Sequence, residues 1–308
     1  MIEPSTSDRQ VPLAANLERA LGDFMARVVT DDVIERAASL CGMPLAEGRR
    51  LIAIYANESL VGLRLIAPML RPGLRILEVG SGVGILSAFL AERGYDIVAI
   101  EPSATGFAFM SRIAESVASG SRSEREFRAL PLMVHELHPA RHGRFDLIFS
   151  VNVVEHIASL DEAFGAMTRL LRDDGSMLHF CPNYTMPYEP HFGIPLLPFW
   201  PAATRFLFPS VKTRYPGLWD SLNFVTARRL ERLANVCGLA MSLDESVMAN
   251  AVRRLTTDPI YRSRQNRIVA GAMTCFASLG GLKLLDSLPS SWTSPMVARF
   301  RKLPRQAD

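Results

Sequence analysis

The stretch Ile76-Leu77-Glu78-Val79-Gly80-Ser81-Gly82-Val83-Gly84 constrains the fold of this chain more than any other. Apolar residues around one acid read as a buried strand, and the three glycines at alternate positions after it make a tight turn. Glycine has no Cβ, so such a turn can take positive φ and lie directly against a ligand. Ile85 to Glu92 then carry apolar residues at helical spacing, with Gly94 as the stop. Strand, glycine turn and helix start stand in the order a nucleotide site requires. The unpaired N–H groups and positive dipole end of such a helix favour an electron-rich group.

A second strand, Asp96 to Ile100, ends in Glu101. That acid comes about twenty residues beyond the turn, where open α/β folds place a carboxylate on ribose hydroxyls. The dinucleotide fingerprint puts glycine at positions one, three and six of the turn. Here position six is Ile85 and the third glycine comes early, at Gly84. The spacing therefore speaks against a dinucleotide-dependent oxidoreductase and for a different nucleoside.

Taken together, Glu78 two residues before the first glycine, the triplet, the helix, the second strand and Glu101 resemble the first motifs of the class I S-adenosylmethionine (SAM)-dependent methyltransferases. The resemblance runs from about residue 50 onward. Arg144 to Ser150 is similar to the family's fourth strand, and Val151 to Ile157 to the segment closing its adenine pocket. Asp161 to Leu171, Asp173-Asp174-Gly175 and Ser176 to Cys181 match its next helix, turn and fifth strand, with the Leu-Leu-x-x-x-Gly-x-hydrophobic pattern at 170–178. The resemblance implies a seven-stranded Rossmann-like α/β sheet, mostly parallel, with an antiparallel last strand between the fifth and sixth. It implies SAM as cofactor, with Glu78, Gly80, Ser81, Gly82 and Gly84 near its methionine part and Glu101 and Pro102 near the ribose. Leu130, Asn152 and Val153 would flank the adenine. The family often has an acid just after the third strand, and Arg128-Ala129-Leu130-Pro131-Leu132 has none.

Before the motif, Leu13–Val29, Asp31–Cys41 and Leu45–Leu70 show helical periodicity, with Asp31 as a cap and Pro72-Gly73 as a break. Tyr55 and Glu58 are read as helix-surface positions. Residues 1–70 are taken as a helical extension and 71–308 as the methyltransferase domain. Residues 1–8 lack the positive start and apolar core of a secretion signal and read as a loose tail. A helix over Thr226–Cys237 and a sixth strand over Leu239–Val247 follow, and Trp292–Lys302 resembles the family's final strand. Two insertions remain, about 182–225 and 248–291, leaving the carboxyl ends of strands as lids. The first holds five prolines between 182 and 198 and the aromatics Phe199, Trp200, Phe206, Phe208, Tyr215 and Trp219. It reads as a stiff, ordered, functional loop. In the second, Ile268–Leu285 is broken only by Lys283 among charges and is read as a helix buried against the lid, with a lipid-touching surface as the alternative.

A net charge of +3 over 308 residues, without a lysine run, leaves no electrostatic footprint for nucleic acid. Cys41, Cys181, Cys237 and Cys275 lack paired spacing, which fits reduced thiols in a cytoplasmic protein. Methyl transfer needs an aligned acceptor and usually a base. His191, in the proline-rich loop with Tyr188 and Glu189 beside it, is the leading base, and His156 a neighbour of the acceptor. Asn183, Tyr184 and Glu189 are assigned to the acceptor. Glu155-His156 resembles the end of a Glu-x-x-Glu-His metal motif found in ubiquinone-pathway and small-RNA methyltransferases. Asn152 replaces its first glutamate, and no metal is expected. The expected activity is O-methylation of a small, glycan or lipid-linked acceptor, with possible peripheral contact at the inner face of a membrane. The alternative is a catalytically silent SAM-fold partner or membrane-docking subunit.

Overall fold

The computed structural model describes residues 6–102, 109–122, 129–214 and 217–304. Arg128, Tyr215 and residues 1–5 of the expected tail lie outside them. In chain order the elements are α1 (Thr6–Val28), α2 (Asp31–Cys41), α3 (Leu45–Ile66), β1 (Arg75–Val79), α4 (Ile85–Glu92), β2 (Asp96–Ile100), α5 (Phe109–Ser119), β3 (Ala129–Leu130), α6 (Pro139–His142) and β4 (Phe145–Val151). There follow α7 (Leu160–Leu170), β5 (Leu171–Cys181), β6 (Tyr188–Glu189), β7 (Ile194–Pro195), α8 (Val211–Arg214), α9 (Leu218–Ser221), α10 (Ala227–Val236) and β8 (Leu239–Leu243). The chain ends with α11 (Val247–Thr257), α12 (Pro259–Arg264), α13 (Arg267–Ser278), α14 (Leu282–Ser287) and β9 (Met296–Lys302). Seven strands form one sheet in the order β3-β2-β1-β4-β5-β9-β8. The pairs of β1 with β2 and β4, and of β2 with β3, are parallel, whereas β9 is antiparallel to β5 and β8. This is the mixed sheet that the family resemblance implies.

The chain divides into two compact units, Met1–Ser150 and Val151–Asp308. In the first, β1 and β4 bury Ile76, Leu77, Val79, Leu147, Ile148 and Phe149, the near-continuous apolar pattern of strands covered on both faces. Helix α4 is buried from Ile85 through Leu90. Helix α1 reaches it through an edge-on Phe24–Phe89 contact at 5.7 Å and an Arg27–Glu92 ion pair at 2.6 Å. The N-terminal helices are therefore part of this unit's core. The cap of α2 is Thr30, whose hydroxyl accepts from the Val33 N–H, and not Asp31, which is already helical. Leu45–Met69 is long and apolar enough to cross a membrane by length and composition; here it packs on α1, α2 and α4.

In the second unit Phe164, Met167 and Leu170 of α7, Met177, Leu178 and Cys181 of β5 and Phe300 of β9 are buried together with Leu230 and Leu233 of α10. Strand β5 begins at Leu171, so the expected turn at Asp173–Gly175 lies within its first residues, with Asp173 and Asp174 exposed and Gly175 buried; there Lys302 ties the Leu171 carbonyl and Asp173. Strand β8 stops at Leu243, because Ser246 turns through positive φ into α11. Strand β9 starts at Met296, after Pro295, which has no N–H to give a ladder.

The first insertion is ordered by aromatic packing: Tyr184–Phe224, Trp219–Phe224 and Phe192–Trp219 meet edge-on at 5.3, 5.5 and 5.6 Å. The second is helical, but the continuous helix expected over 268–285 is broken at Gly280, where φ is +85°. Helices α11, α13 and α14 share a small core of Ala249, Val252, Leu255, Ala270 and Leu285. Ala270 and Leu285 are the buried residues of α13 and α14. Ile268 and Leu279 are 82% and 81% exposed, so the helix is not the buried one expected.

Candidate active site

In the first unit the glycine turn closes on Glu101. The β1–β2 register ends at Val79 opposite Ile100, and the N–H groups of Gly80 and Ser81 both reach the Ile100 carbonyl, at 2.8 and 3.0 Å. Gly80, Gly82 and Gly84 all have φ between +54° and +72°, the region glycine adopts without steric cost. The Gly82 N–H donates to Glu101 Oε2 at 2.8 Å, so the acid is held over bare backbone. A Cβ on Gly82 would lie 2.9 Å from Tyr55 Cε1 of α3. Tyr55, read from sequence as a surface position, thus forms a wall of the turn.

Two acids here titrate well above the usual carboxylate range. Burial raises Glu78 to about 8, against the lowering effect of a very short hydrogen bond from Ser87, with the charge of Glu101 adding a smaller rise. Burial raises Glu101 to about 7, offset in part by the Gly82 N–H. The Ser81 hydroxyl is buried with no hydrogen bond among the described residues. A cradle of bare backbone, an open hydroxyl and two acids that a cationic ligand would ionise fit an adenosyl sulfonium. Glu101 N–H also donates to the Leu130 carbonyl at 3.0 Å, which brings the end of β3 beside the acid. Pro102 follows, half-buried. Ser87 escaped the sequence reading, and Tyr55 reads from sequence as a surface position. The signal for Ser87 was a hydroxyl placed one turn into an otherwise apolar helix.

In the second unit Asn152 follows β4 with φ +54°, its N–H donating to the Phe180 carbonyl at 2.8 Å, and Val153 is half-buried. Asparagine tolerates this left-handed conformation better than most residues. Beyond it lies a second cluster. Glu189 is fully buried; its Oε1 is 2.6 Å from His191 Nδ1 and accepts from the Tyr184 hydroxyl at 3.1 Å, and its Oε2 accepts from the Phe192 N–H at 2.7 Å. Burial alone would lower His191, but the bond and charge of Glu189, with the charge of Glu155, hold it above the usual imidazole value. His156 packs edge-on to His191 at 5.4 Å, and its Nδ1 meets the Ser221 hydroxyl at 2.9 Å. Burial, then the neighbouring His191, lowers it to about 3, so it is neutral.

One ligand atom each of Glu155, His156 and His191 lies within 4.8 Å of the others. A carboxylate and two imidazoles, each ring oriented through Nδ1, form a donor set suited to a transition-metal ion. Sequence reasoning names these same three residues and expects no metal on them, because Asn152 breaks the motif; the geometry brings the three together.

The acceptor candidates separate. Asn183 uses all of its side-chain capacity on the protein: its amide donates to the Ser291 and Thr293 carbonyls at 2.9 and 3.0 Å, and its oxygen accepts from the Thr185 and Ala227 N–H groups at 3.2 and 3.1 Å. Tyr184 lines a cavity of about 1030 Å³ with Leu196, Phe199, Phe224, Met241 and Trp292. Glu189 stands behind His191 and Tyr184. Ionisation of the Tyr188 hydroxyl is disfavoured by burial and then by the charge of Glu189. His179 is a core residue between Phe164 and Phe300, lowered by burial to about 4.

Comparison with known proteins gives the family. A methyltransferase-domain family model matches residues 51–242. An uncharacterised protein of Mycobacterium tuberculosis strain H37Rv is 30% identical over 236 residues, 75% of this chain and 79% of its own. A ubiquinone biosynthesis O-methyltransferase of Agrobacterium fabrum is 32% identical over 114 residues, 37% of this chain and 43% of its own. Among solved structures, the geranyl diphosphate C-methyltransferase of Streptomyces coelicolor is similar with a TM-score of 0.47, at 13% identity over 75% of this chain and 73% of that one. The chain belongs to the methyltransferase-domain family, as a class I SAM-dependent methyltransferase.

Proposed function

We propose that this enzyme methylates an oxygen of a small, glycan or lipid-linked acceptor, with His191 as general base. The observation that carries the reading is the 2.6 Å contact between His191 Nδ1 and the buried Glu189 carboxylate. A carboxylate on Nδ1 fixes the neutral imidazole as the Nδ1–H tautomer, leaving Nε2 to accept a proton. Tyr184 and the Phe192 N–H hold the carboxylate in turn, so the imidazole keeps one orientation. Bound SAM supplies the electrophilic methyl group. The chain removes the acceptor's proton: Nε2 of His191 takes it as the acceptor oxygen becomes nucleophilic, and Glu189 stabilises the resulting imidazolium. Support for oxygen as the acceptor comes from the local likeness to O-methyltransferases of ubiquinone biosynthesis.

Incubation of the enzyme and cell extract with SAM carrying a 13C methyl group tests the reading, because the carbon shift of the product separates O-, N- and C-methyl groups. Signals from O-methyl carbons support it. Label on nitrogen or carbon alone, or no transferred label, would sink it. A second reading, in which Glu155, His156 and His191 hold a divalent ion that activates the acceptor, rests on their mutual closeness.

A further inference from the structure

Exposed large apolar side chains are concentrated on the two insertions. Of the fourteen on the described surface, nine belong to them: Phe199, Trp200, Phe206 and Leu207 on the first and Ile260, Ile268, Leu279, Leu284 and Leu288 on the second; Trp292 follows directly. Exposure is extreme for several, at 95% for Phe199, 74% for Trp200, 73% for Phe206 and 82% for Ile268. Isolated exposed apolar residues are ordinary, but a clustered set marks an interaction surface. The two insertions meet. The Asn266 side chain donates to the Gly193 carbonyl at 3.1 Å, and Phe199 and Trp292 line one cavity.

The charges on these segments are mainly basic. Residues 182–225 contain Arg205, Lys212 and Arg214 against Glu189, which is buried, and Asp220, 3.8 Å from Arg205; residues 248–291 contain Arg253, Arg254, Arg262, Arg264, Arg267 and Lys283 against Asp258, 2.8 Å from Arg254, and Asp286. Asp286 is 3.4 Å from Arg253. Arg262, Arg267, Lys212 and Lys283 are exposed. Aromatic and aliphatic side chains bordered by arginine and lysine in excess over acids match the interface of a bilayer bearing anionic headgroups, where rings enter the acyl boundary and cations pair with phosphate. A protein partner chosen by apolar contact alone would not require this charge bias.

We propose that the second unit docks on an anionic membrane surface through Phe199, Trp200, Phe206 and Leu207, with α13 and α14 as an adjoining contact. The surface does not depend on which acceptor atom is methylated, because vesicle binding is read without turnover.

The three tryptophans provide the test: Trp200 and Trp292 are exposed, and Trp219 is buried at 3%. The full chain is mixed with vesicles of phosphatidylcholine alone or with phosphatidylglycerol, and flotation and tryptophan emission are recorded. The expected results are flotation with the anionic vesicles and a blue shift. Binding falls several-fold when salt is raised from 0.1 to 0.5 M, as screening shortens the reach of the cations. The double variant Phe199→Ser/Trp200→Ser loses at least tenfold in vesicle affinity. No flotation and no shift with anionic vesicles, equal binding to neutral ones, or unchanged binding of the double variant would each overturn the proposal. So would self-association of the chain that is abolished by the double variant while vesicles remain unbound.

Discussion

His191 Nδ1 lies 2.6 Å from the carboxylate of Glu189, and that carboxylate is entirely withdrawn from solvent. Substitution His191→Ala should leave SAM affinity unchanged and slow methyl transfer by about 10²- to 10⁴-fold, the usual range for a positioned base. Glu189→Gln removes the charge that holds His191 above its ordinary value, so burial should then dominate. The acid limb of the pH–rate profile would move to lower pH as the rate falls. A purely structural role for Glu189 would lower the rate without moving that limb.

The same histidine distinguishes the two readings of the second cluster. With His191 as base, overnight dialysis against a chelator should leave transfer unchanged. Loss of activity that zinc or manganese restores, together with loss of metal uptake in Glu155→Gln, would make His191 a ligand.

Protonation of the glycine-turn acids gives a pH dependence of stability. The folded carboxyls of Glu78 and Glu101 titrate near 8 and 7 against an ordinary value of 4.5. Buried neutral His156 and His179 add an opposing slope below about pH 6.5, where their unfolded imidazoles take up protons. Above it the folded chain holds carboxyl protons that the unfolded chain has released, so stability should fall as pH rises from about 6.5 to 8. Urea unfolding at pH 6.5, 7, 7.5 and 8 measures the slope, and Glu78→Gln should flatten most of it. SAM, a cation, should release protons on binding, seen as binding enthalpies that differ among buffers.

Asn183 should matter for stability and not for acceptor recognition. Its four side-chain hydrogen bonds join the first insertion to α10 and to the approach of β9. At about 1 kcal/mol per bond, Asn183→Ala should cost several kcal/mol. A lower thermal midpoint with unchanged acceptor KM is expected.

The central elements were legible because their signals are local. Ile76 to Val79 and Phe145 to Ser150 are apolar runs, the glycines mark one turn, and the helix expected over Thr226–Cys237 is α10, with Thr226 as its cap. Even β9, far along the chain from β5, could be placed between β5 and β8 by its resemblance to the family's last strand. Contacts between distant segments were not legible. Nothing in the periodicity of α3 says that Tyr55 covers Gly82, and nothing local says that Asn183 bonds to residues more than a hundred positions away. Glu189 looked available for an acceptor because its neighbours in sequence are prolines and aromatics; only the hairpin of β6 and β7 turns it inward. Ile268 and Leu279 looked like core residues because hydropathy does not tell a core from an interface.

The most direct measurement is a calorimetric titration with SAM of the wild-type chain, Gly82→Val and Glu101→Ala, with NAD and NADP as controls. Valine at residue 82 would need a positive φ, at about 1–2 kcal/mol, and would place its Cβ against Tyr55. Saturable heat from SAM alone is expected, abolished by Gly82→Val and weakened at least tenfold by Glu101→Ala. Absence of SAM binding to the wild-type chain, or equal affinity in all three proteins, would contradict the account.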